Sequence, residues 1–278
     1  MTSRESLRTS YFMGKNASIR ECMLLIAEDG EVWMVEPLRR RIAERCRCIV
    51  RRARSVRATD EPWIAKMMAT FVRSRNEALL RVLAPIESRD ALMINGVSAI
   101  RRARHRATAI SLVAGNGVPT ATQYEGPLAA IPFHRAALKR RLDDGRSQPV
   151  LYERKAFASA PNRVVYAQDF IQSDWEHKVY VVGDALFAFE QRPTMLHPEK
   201  LATRRQVNVD PVLGAYARRA AEAVGLEVAG IDFLFDRGEP KVTDVNSNQG
   251  LHTFPEGFEA LDAYIQLRVA RRSRGNRP

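Results

Sequence analysis

Cysteine is scarce in this chain. Cys22, Cys46 and Cys48 are the only three in 278 residues, too few for a disulfide framework or a four-ligand zinc site. Cys46 and Cys48 read as filler of a strand or helix in a reducing compartment. Long apolar runs are also missing. Cys22 to Ala27 is the longest early run, far short of the roughly 20 residues that span a bilayer, and it lacks a signal-peptide layout. The expected location is therefore cytoplasmic, with no membrane partner. Neither G-x-G-x-x-G nor G-x-x-x-x-G-K-[ST] occurs, which removes the main support for Rossmann and P-loop readings. His105, His134, His177, His197 and His252 have no metal-ligand spacing. Ser159 and the cysteines have no nucleophile elbow or cysteine–histidine arrangement, so covalent catalysis is unsupported.

Acids are in deficit. Lys and Arg number 44 against 32 Asp and Glu, a net charge of +12. The surplus is mostly arginine, scattered in clusters such as Arg39-Arg40-Arg41, Arg101-Arg102 and Arg271-Arg272, with few aromatics between them. Such dispersal disfavours nucleic acid as a partner and suits anionic small molecules and nucleotide phosphates. Length and a 45% hydrophobic content suffice for a full core in two or three lobes.

Local patterns give the elements. Met23 to Ile26 reads as a strand, Asp29-Gly30 as a turn and Glu31 to Val35 as a second strand. Leu38 to Arg45 has helical spacing. Asp60-Glu61-Pro62 is a helix start, and Trp63 to Leu83 continues helical until Pro85 stops it. Ala91 to Gly96 is a short strand. Val97 to Ala114 is a helix ended by Gly115-Asn116-Gly117, and the stretch to Leu142 is helical after Pro132. A turn and lobe boundary are expected at Asp143-Asp144-Gly145. Strands follow at Val150 to Glu153, Arg163 to Ala167, Lys178 to Val182 and Ala185 to Glu190, the last two joined by the hairpin signal Gly183-Asp184. Asp210 to Val224 is an amphipathic helix with Asp210-Pro211 at its start and Gly225 past its end. A final helix begins at Glu256, and Ser273 to Pro278 is a polar tail.

The richest stretch is Gly230 to Asn248, two strands with a turn near Arg237-Gly238. Alternation along a strand puts Asp244 and Asn246 on one face, and the fold-back brings Asp232 to the same surface. Two carboxylates and an amide oxygen suit a hard divalent cation that also takes phosphate and water. That donor set points to nucleotide chemistry.

Four blocks in order resemble the ATP-grasp superfamily: Ala167-Gln168-Asp169-Phe170-Ile171, Lys178 to Asp184, Glu190-Gln191-Arg192-Pro193, and Gly230-Ile231-Asp232 through Asp244-x-Asn246. Twelve residues separate Asp232 from Asp244, a spacing similar to that of the ribosomal-protein glutamate ligases. The blocks Lys178 to Asp184 and Gln191-Arg192-Pro193 also resemble the inositol polyphosphate kinases of the same fold. The resemblance covers about residues 92 to 265 and implies an α/β ATP-grasp fold in which two lobes enclose a nucleotide. It implies a divergent N-terminal subdomain over 1–91, a lead-in and reduced central lobe over 92–166, and a C-terminal lobe over 167–270. Residues 271–278 remain as the tail.

The resemblance also distributes roles. Gln168, Asp169, Phe170 and Ile171 receive adenine. Lys178 meets phosphate. Asp232, Asp244 and Asn246 bind Mg²⁺, with Mn²⁺ as an alternative. Arg192 holds an anionic group, and Lys200, Arg204, Arg205 and Asn248 line the acceptor side. The family's phosphate-binding lysine and glycine-rich loop have no clear counterpart in Pro149 to Ala160. Arg154 or Lys155 stands in for the lysine there, and Ala158-Ser159-Ala160 for the loop. The implied activity is an ATP-dependent carboxylate–amine ligase working through an acyl phosphate on an amino-acid, peptide or other anionic substrate. The alternatives are a small-molecule kinase on the same scaffold and a non-catalytic binding protein. The oligomeric state is not indicated.

Overall fold

The computed structural model describes residues 22–143, 149–157, 163–193, 195–197, 199–247 and 250–275. Four strands, β1 (Cys22–Ala27), β2 (Arg47–Arg52), β3 (Ala69–Arg73) and β4 (Met93–Ile94), form a parallel sheet in the order β2-β1-β3-β4. The helices are α1 (Glu36–Ala43), α2 (Glu61–Ile64), α3 (Glu77–Glu87), α4 (Val97–Arg104), α5 (Arg106–Gly115), α6 (Pro211–Val224) and α7 (Pro255–Gly275). Every residue of β1 is buried, because the sheet is covered on both faces and its strands read as continuous apolar runs. Met23, Leu25 and Ala27 pack with Leu38 and Ile42 of α1 and Leu261 and Ile265 of α7. Leu24 and Ile26 pack with Leu79, Leu80 and Leu83 of α3 and Ile100 of α4.

The central sheet is antiparallel, with β5 (Gln123–Pro127), β6 (Arg135–Lys139), β7 (Val150–Glu153) and β8 (Val164–Asp169) in the order β5-β8-β6-β7. The third sheet holds β9 (Glu176–Val182), β10 (Ala185–Gln191), β11 (Arg205–Val207), β12 (Val228–Asp236) and β13 (Glu239–Asn246) in the order β11-β10-β9-β12-β13. Its two faces have different duties. Val179, Val181, Ile231 and Phe233 join the core under α5 and α6. Tyr180, Val182 and Val228 point the other way, into the core shared with the N-terminal sheet and α7. Further along that second face, toward the central sheet, the side chains turn polar.

Several expected elements differ. Glu31 to Val35 is no strand: Val32–Val35 is a single turn leading into α1. A parallel neighbour cannot be reached by a tight turn, so the chain must cross over through a helix. Trp63 to Leu83 is no single helix. α2 stops at Ile64, β3 inserts beside β1, and α3 restarts with the Asn76 side chain accepting from Leu79 N at 3.2 Å. β3 is buried at all five residues, and that burial overrides helical spacing. Pro85 lies inside α3 rather than ending it. The helix expected over Val97 to Ala114 breaks at His105, an extended residue whose ring accepts from Thr108 N at the start of α5.

The segment after Pro132 is β6 and not a helix. Arg-Ala-Ala-Leu-Lys favours a helix locally, yet pairing with β7 and β8 on both sides makes it a strand. Asp143 is a buried ion-pair partner of Arg75 and Arg106 rather than a linker. Asp144 and Gly145 lie outside the described residues, as do Ala158-Ser159-Ala160. The expected division at 166/167 falls inside β8, and β4 carries the N-terminal sheet past residue 91.

Candidate functional site

The β12–β13 hairpin turns at Arg237 and Gly238, both with positive φ (54° and 89°), the backbone shape of a two-residue hairpin that matches strand twist. Asp232 pairs with Asp244 across the hairpin and with Lys178 on β9. The ladder shifts next to this pair, because Phe233 opposes Val242 and leaves Thr243 as an extra residue. Thr243 is used on both sides. Its carbonyl accepts from Lys139 Nζ at 2.8 Å, and its hydroxyl donates to Asp232 O at 3.3 Å.

These residues line a cavity of about 270 Å³ between the central sheet and the third sheet. Gln168, Asp169, Phe170 and Ile171 form one end. Asp232, Asp244 and Asn246 form the other, with Glu176 and Lys178 beside them. The structure thus brings together the hinge, the strand lysine and the three oxygen-bearing residues expected from sequence. Two hinge N–H groups are already committed: Asp169 N donates to Thr122 O at 2.9 Å and Phe170 N to Arg135 O at 3.2 Å.

Charge around the carboxylates is balanced at close range. Lys178 Nζ lies 2.9 Å from Asp232 Oδ1, and Arg106 Nε lies 3.5 Å from Asp244 Oδ1. Asn246 Nδ2 donates to Asp232 Oδ2 at 3.4 Å. Burial pushes the Asp232 carboxyl up to about 6, with Glu176 and Asp244 adding to the rise and Lys178 opposing it. Burial acts the same way on Asp244, but Lys139, Arg106, Arg75 and Lys178 together hold it below the ordinary carboxylate value. One carboxylate is therefore poised and its neighbour firmly ionised.

The donor set fits a divalent cation. Asp232 Oδ1 is buried, with the Lys178 ammonium 2.9 Å away as its partner. Two buried carboxylates on one face are costly unless cations lie near them. Asp232, Asp244 and the Asn246 amide oxygen would hold the ion, a mixed set of the kind Mg²⁺ accepts. Among the described residues no group of three or more His, Cys, Asp or Glu side chains is placed to hold a metal ion, and this site offers two carboxylates and an amide.

Other expected residues fall elsewhere. Arg154 Nη2 donates to Ile131 O at 3.0 Å on the opposite side of β6 and β7, and neither it nor Lys155 lines the cavity. Arg192 stacks 4.5 Å over the Trp175 ring and donates to Asp174 O, leaving its neighbour Pro193 at the cavity. Arg204 donates to the Tyr180 hydroxyl at 3.0 Å over the Phe189 ring, and Arg205 pairs with Glu190. Lys200 sits in the short turn Lys200–Thr203, and Asn248 lies outside the described residues.

Sequence reasoning missed Lys139, Arg75, Arg106 and Asp143, all of which line the cavity. Burial pulls the Lys139 ammonium below its ordinary pKa, against the attraction of Asp244 and Asp232. Lys139, rather than Arg154 or Lys155, is the lysine of this lobe that lines the cavity. The alternation Ala137, Lys139 against Ala136, Leu138 was the available signal, since only the second pair belongs to the apolar core of this sheet.

No protein-family model matches the chain. Over 99 residues it is 33% identical to "Probable alpha-L-glutamate ligase 2" of Shewanella denitrificans, covering 32% of each protein. Over 110 residues it is 33% identical to "Probable alpha-L-glutamate ligase" of Trichodesmium erythraeum, covering 36% of this chain and 35% of that one. The matched stretch thus spans about a third of these curated relatives. Solved structures align over nearly the whole chain. D-cycloserine synthetase DcsG superposes with a TM-score of 0.68 at 16% identity, covering 89% of this chain and 99% of its own. The ATP-grasp ligase PsnB complexed with minimal precursor, Mg and ADP gives 0.68 at 16%, covering 91% and 98%. D-alanine–D-alanine ligase from Bacillus anthracis, complexed with ATP, gives 0.67 at 11%, covering 92% and 100%. Three sheets around a lysine-flanked carboxylate cavity, superposing on these proteins from end to end, give the chain the ATP-grasp fold.

Proposed function

We propose that this protein is an ATP-dependent carboxylate–amine ligase that forms an amide or peptide bond through an acyl phosphate. The observation that carries the reading is the single cavity that runs from the 168–171 hinge to Asp232, Asp244 and Asn246, with Lys139 and Lys178 on its walls. In this reading the hinge holds adenine and the two lysines meet the phosphates. Asp232, Asp244 and Asn246 carry Mg²⁺, with Mn²⁺ able to replace it. When bound there, the metal would offset phosphate charge. Neither serine nor cysteine is among the described residues that line the cavity, which suits a route in which the substrate carboxylate itself is the nucleophile. Its oxygen attacks the γ-phosphorus, ADP leaves, and the amine then displaces phosphate from the acyl carbon. Positioning and electrostatics carry such a reaction. Arg192, at the rim beside Pro193, and Arg204 are assigned to the anionic acceptor, an amino acid or peptide. Lys200, Arg205 and Asn248 belong to the same acceptor side in this reading.

The names of the proteins that this chain resembles support ligation over hydroxyl phosphorylation, since all those given above are ligases or a synthetase. No helix among the described residues is long and apolar enough to cross a membrane. A cytoplasmic location, where ATP and Mg²⁺ are supplied, accompanies the proposal. The test is ADP release from Mg·ATP with amino acids, small peptides and polyols, products being read by mass. Amine-dependent release with an amide product supports the ligase. Release with a polyol alone overturns it in favour of a kinase.

A further inference from the structure

Among the described residues, Arg75 is the only one of the N-terminal sheet region that lines the cavity. It follows β3 on a loop held firmly in place. Glu28 Oε1 accepts from Ser74 Oγ at 2.9 Å and from Arg75 N at 2.7 Å, and Asn76 caps α3 directly after it. The backbone is fixed, so only the side chain has freedom. That side chain is 10% exposed and grips two partners. Nη1 lies 2.5 Å from Asp143 Oδ2, and Nη2 donates to Asn246 Oδ1 at 3.2 Å.

The second contact matters most. Asn246 Oδ1 is the oxygen that the cation reading assigns to the metal, and the guanidinium already draws on its lone pairs. The bond also orients the amide, turning Nδ2 toward Asp232 Oδ2. A metal shared by Asp232 and Asn246 needs the amide oxygen, not its nitrogen, on that side. Arg75 and a divalent cation thus ask for opposite orientations of one amide. Release of Arg75 is eased by its other partner, because Asp143 keeps Arg106 Nη2 at 3.1 Å if Arg75 turns away.

Resting on the ligase reading of the carboxylate cluster, we propose that Arg75 is a positioning residue that competes with the divalent cation for Asn246. Metal loading then frees the guanidinium to face the anionic acceptor in the cavity. The N-terminal lobe is in this way coupled to metal occupancy through one side chain.

The test is Mn²⁺ binding in the presence of ADP, free Mn²⁺ being read by electron paramagnetic resonance, in four proteins: wild type, R75Q, N246A and the double variant. R75Q tightens Mn²⁺ at least fivefold in the wild-type background and less than twofold in the N246A background. R75K, which keeps the charge but not the fork, gives an intermediate tightening, and circular dichroism verifies that each variant is folded. An R75Q effect that persists undiminished without Asn246 is a general charge effect and overturns the proposal. Weaker Mn²⁺ binding by R75Q overturns it too. Wild type that binds no Mn²⁺ with ADP refutes the metal site itself and the proposal with it, an outcome distinct from the other two.

Discussion

Lys178 and Asp232 face each other across neighbouring strands, with Nζ 2.9 Å from Oδ1. The pair is internal to the site and unequal in effect. Asp232 and its acidic neighbours raise the lysine above its ordinary pKa despite burial, whereas burial still leaves the carboxyl at about 6. The lysine is therefore charged throughout the neutral range, and the carboxylate is the member that titrates.

From that inequality comes a pH dependence. A proton and a metal ion compete for the same carboxylate. Below about 6 the proton holds Asp232, so metal affinity falls as pH drops through that value. Lys178→Met removes the strongest of the influences that lower the carboxyl pKa, so its midpoint moves higher. Carboxyl-carbon NMR titration of the wild type, K178M and an assigning D232N variant measures both midpoints. A midpoint that stays in place in K178M contradicts the coupling.

Asp244 tests the site from the other side. Its carboxyl is kept ionised by four nearby cations. Asp244→Asn keeps the shape and removes the charge, and ADP release falls at least ~100-fold. Mn²⁺ titration of the same variant gives a matching loss of affinity. Turnover within threefold of wild type rules the metal role out.

Lys139 separates the observed site from the one expected near residue 154. Lys139→Met loses a charged hydrogen-bond donor to phosphate, worth about 1.5–3 kcal/mol, so nucleotide affinity drops roughly ten- to a hundredfold. Arg154→Ala and Lys155→Ala leave it nearly unchanged. Calorimetry with Mg·ADP checks all three, and the reverse ranking contradicts the assignment.

Stability rests on the core under α5 and α6. Phe233 is fully buried there, one residue from Asp232. Phe233→Ala costs about 3–5 kcal/mol, read from urea unfolding. A loss under 1 kcal/mol shows that the site strand is not anchored by this ring.

The C-terminal half was legible because its signals are local. Gly183-Asp184 and Arg237-Gly238 mark real turns, Asp210 caps α6 through Val212 N and Leu213 N, and Gly225 ends it at φ 81°. The Arg237-Gly238 turn with strand alternation pointed to Asp232, Asp244 and Asn246, and the resemblance added Lys178. The basic wall of the site did not. Arg75 and Asn246 touch across 171 positions of sequence, a contact that only topology creates. Lys139 was hidden for a different reason. Its five-residue strand is composed of good helix formers, and pairing on both edges, which no local pattern reports, decides its form.

The extra residue in β13 has a consequence for the site's sidedness. Val242 and Val245 both enter the apolar layer under α5 and α6 although three positions apart, which an uninterrupted strand forbids. Thr243 acts as a frameshift. Upstream of it the even position faces oil, and downstream the even positions Asp244 and Asn246 face the cleft. Deleting that one residue would restore a perfect ladder with Asp244 still opposite Asp232, and would take away the carbonyl that accepts from Lys139 Nζ. The irregular peptide thus ties the hairpin to the neighbouring sheet, through a lysine that a regular ladder would leave without this acceptor.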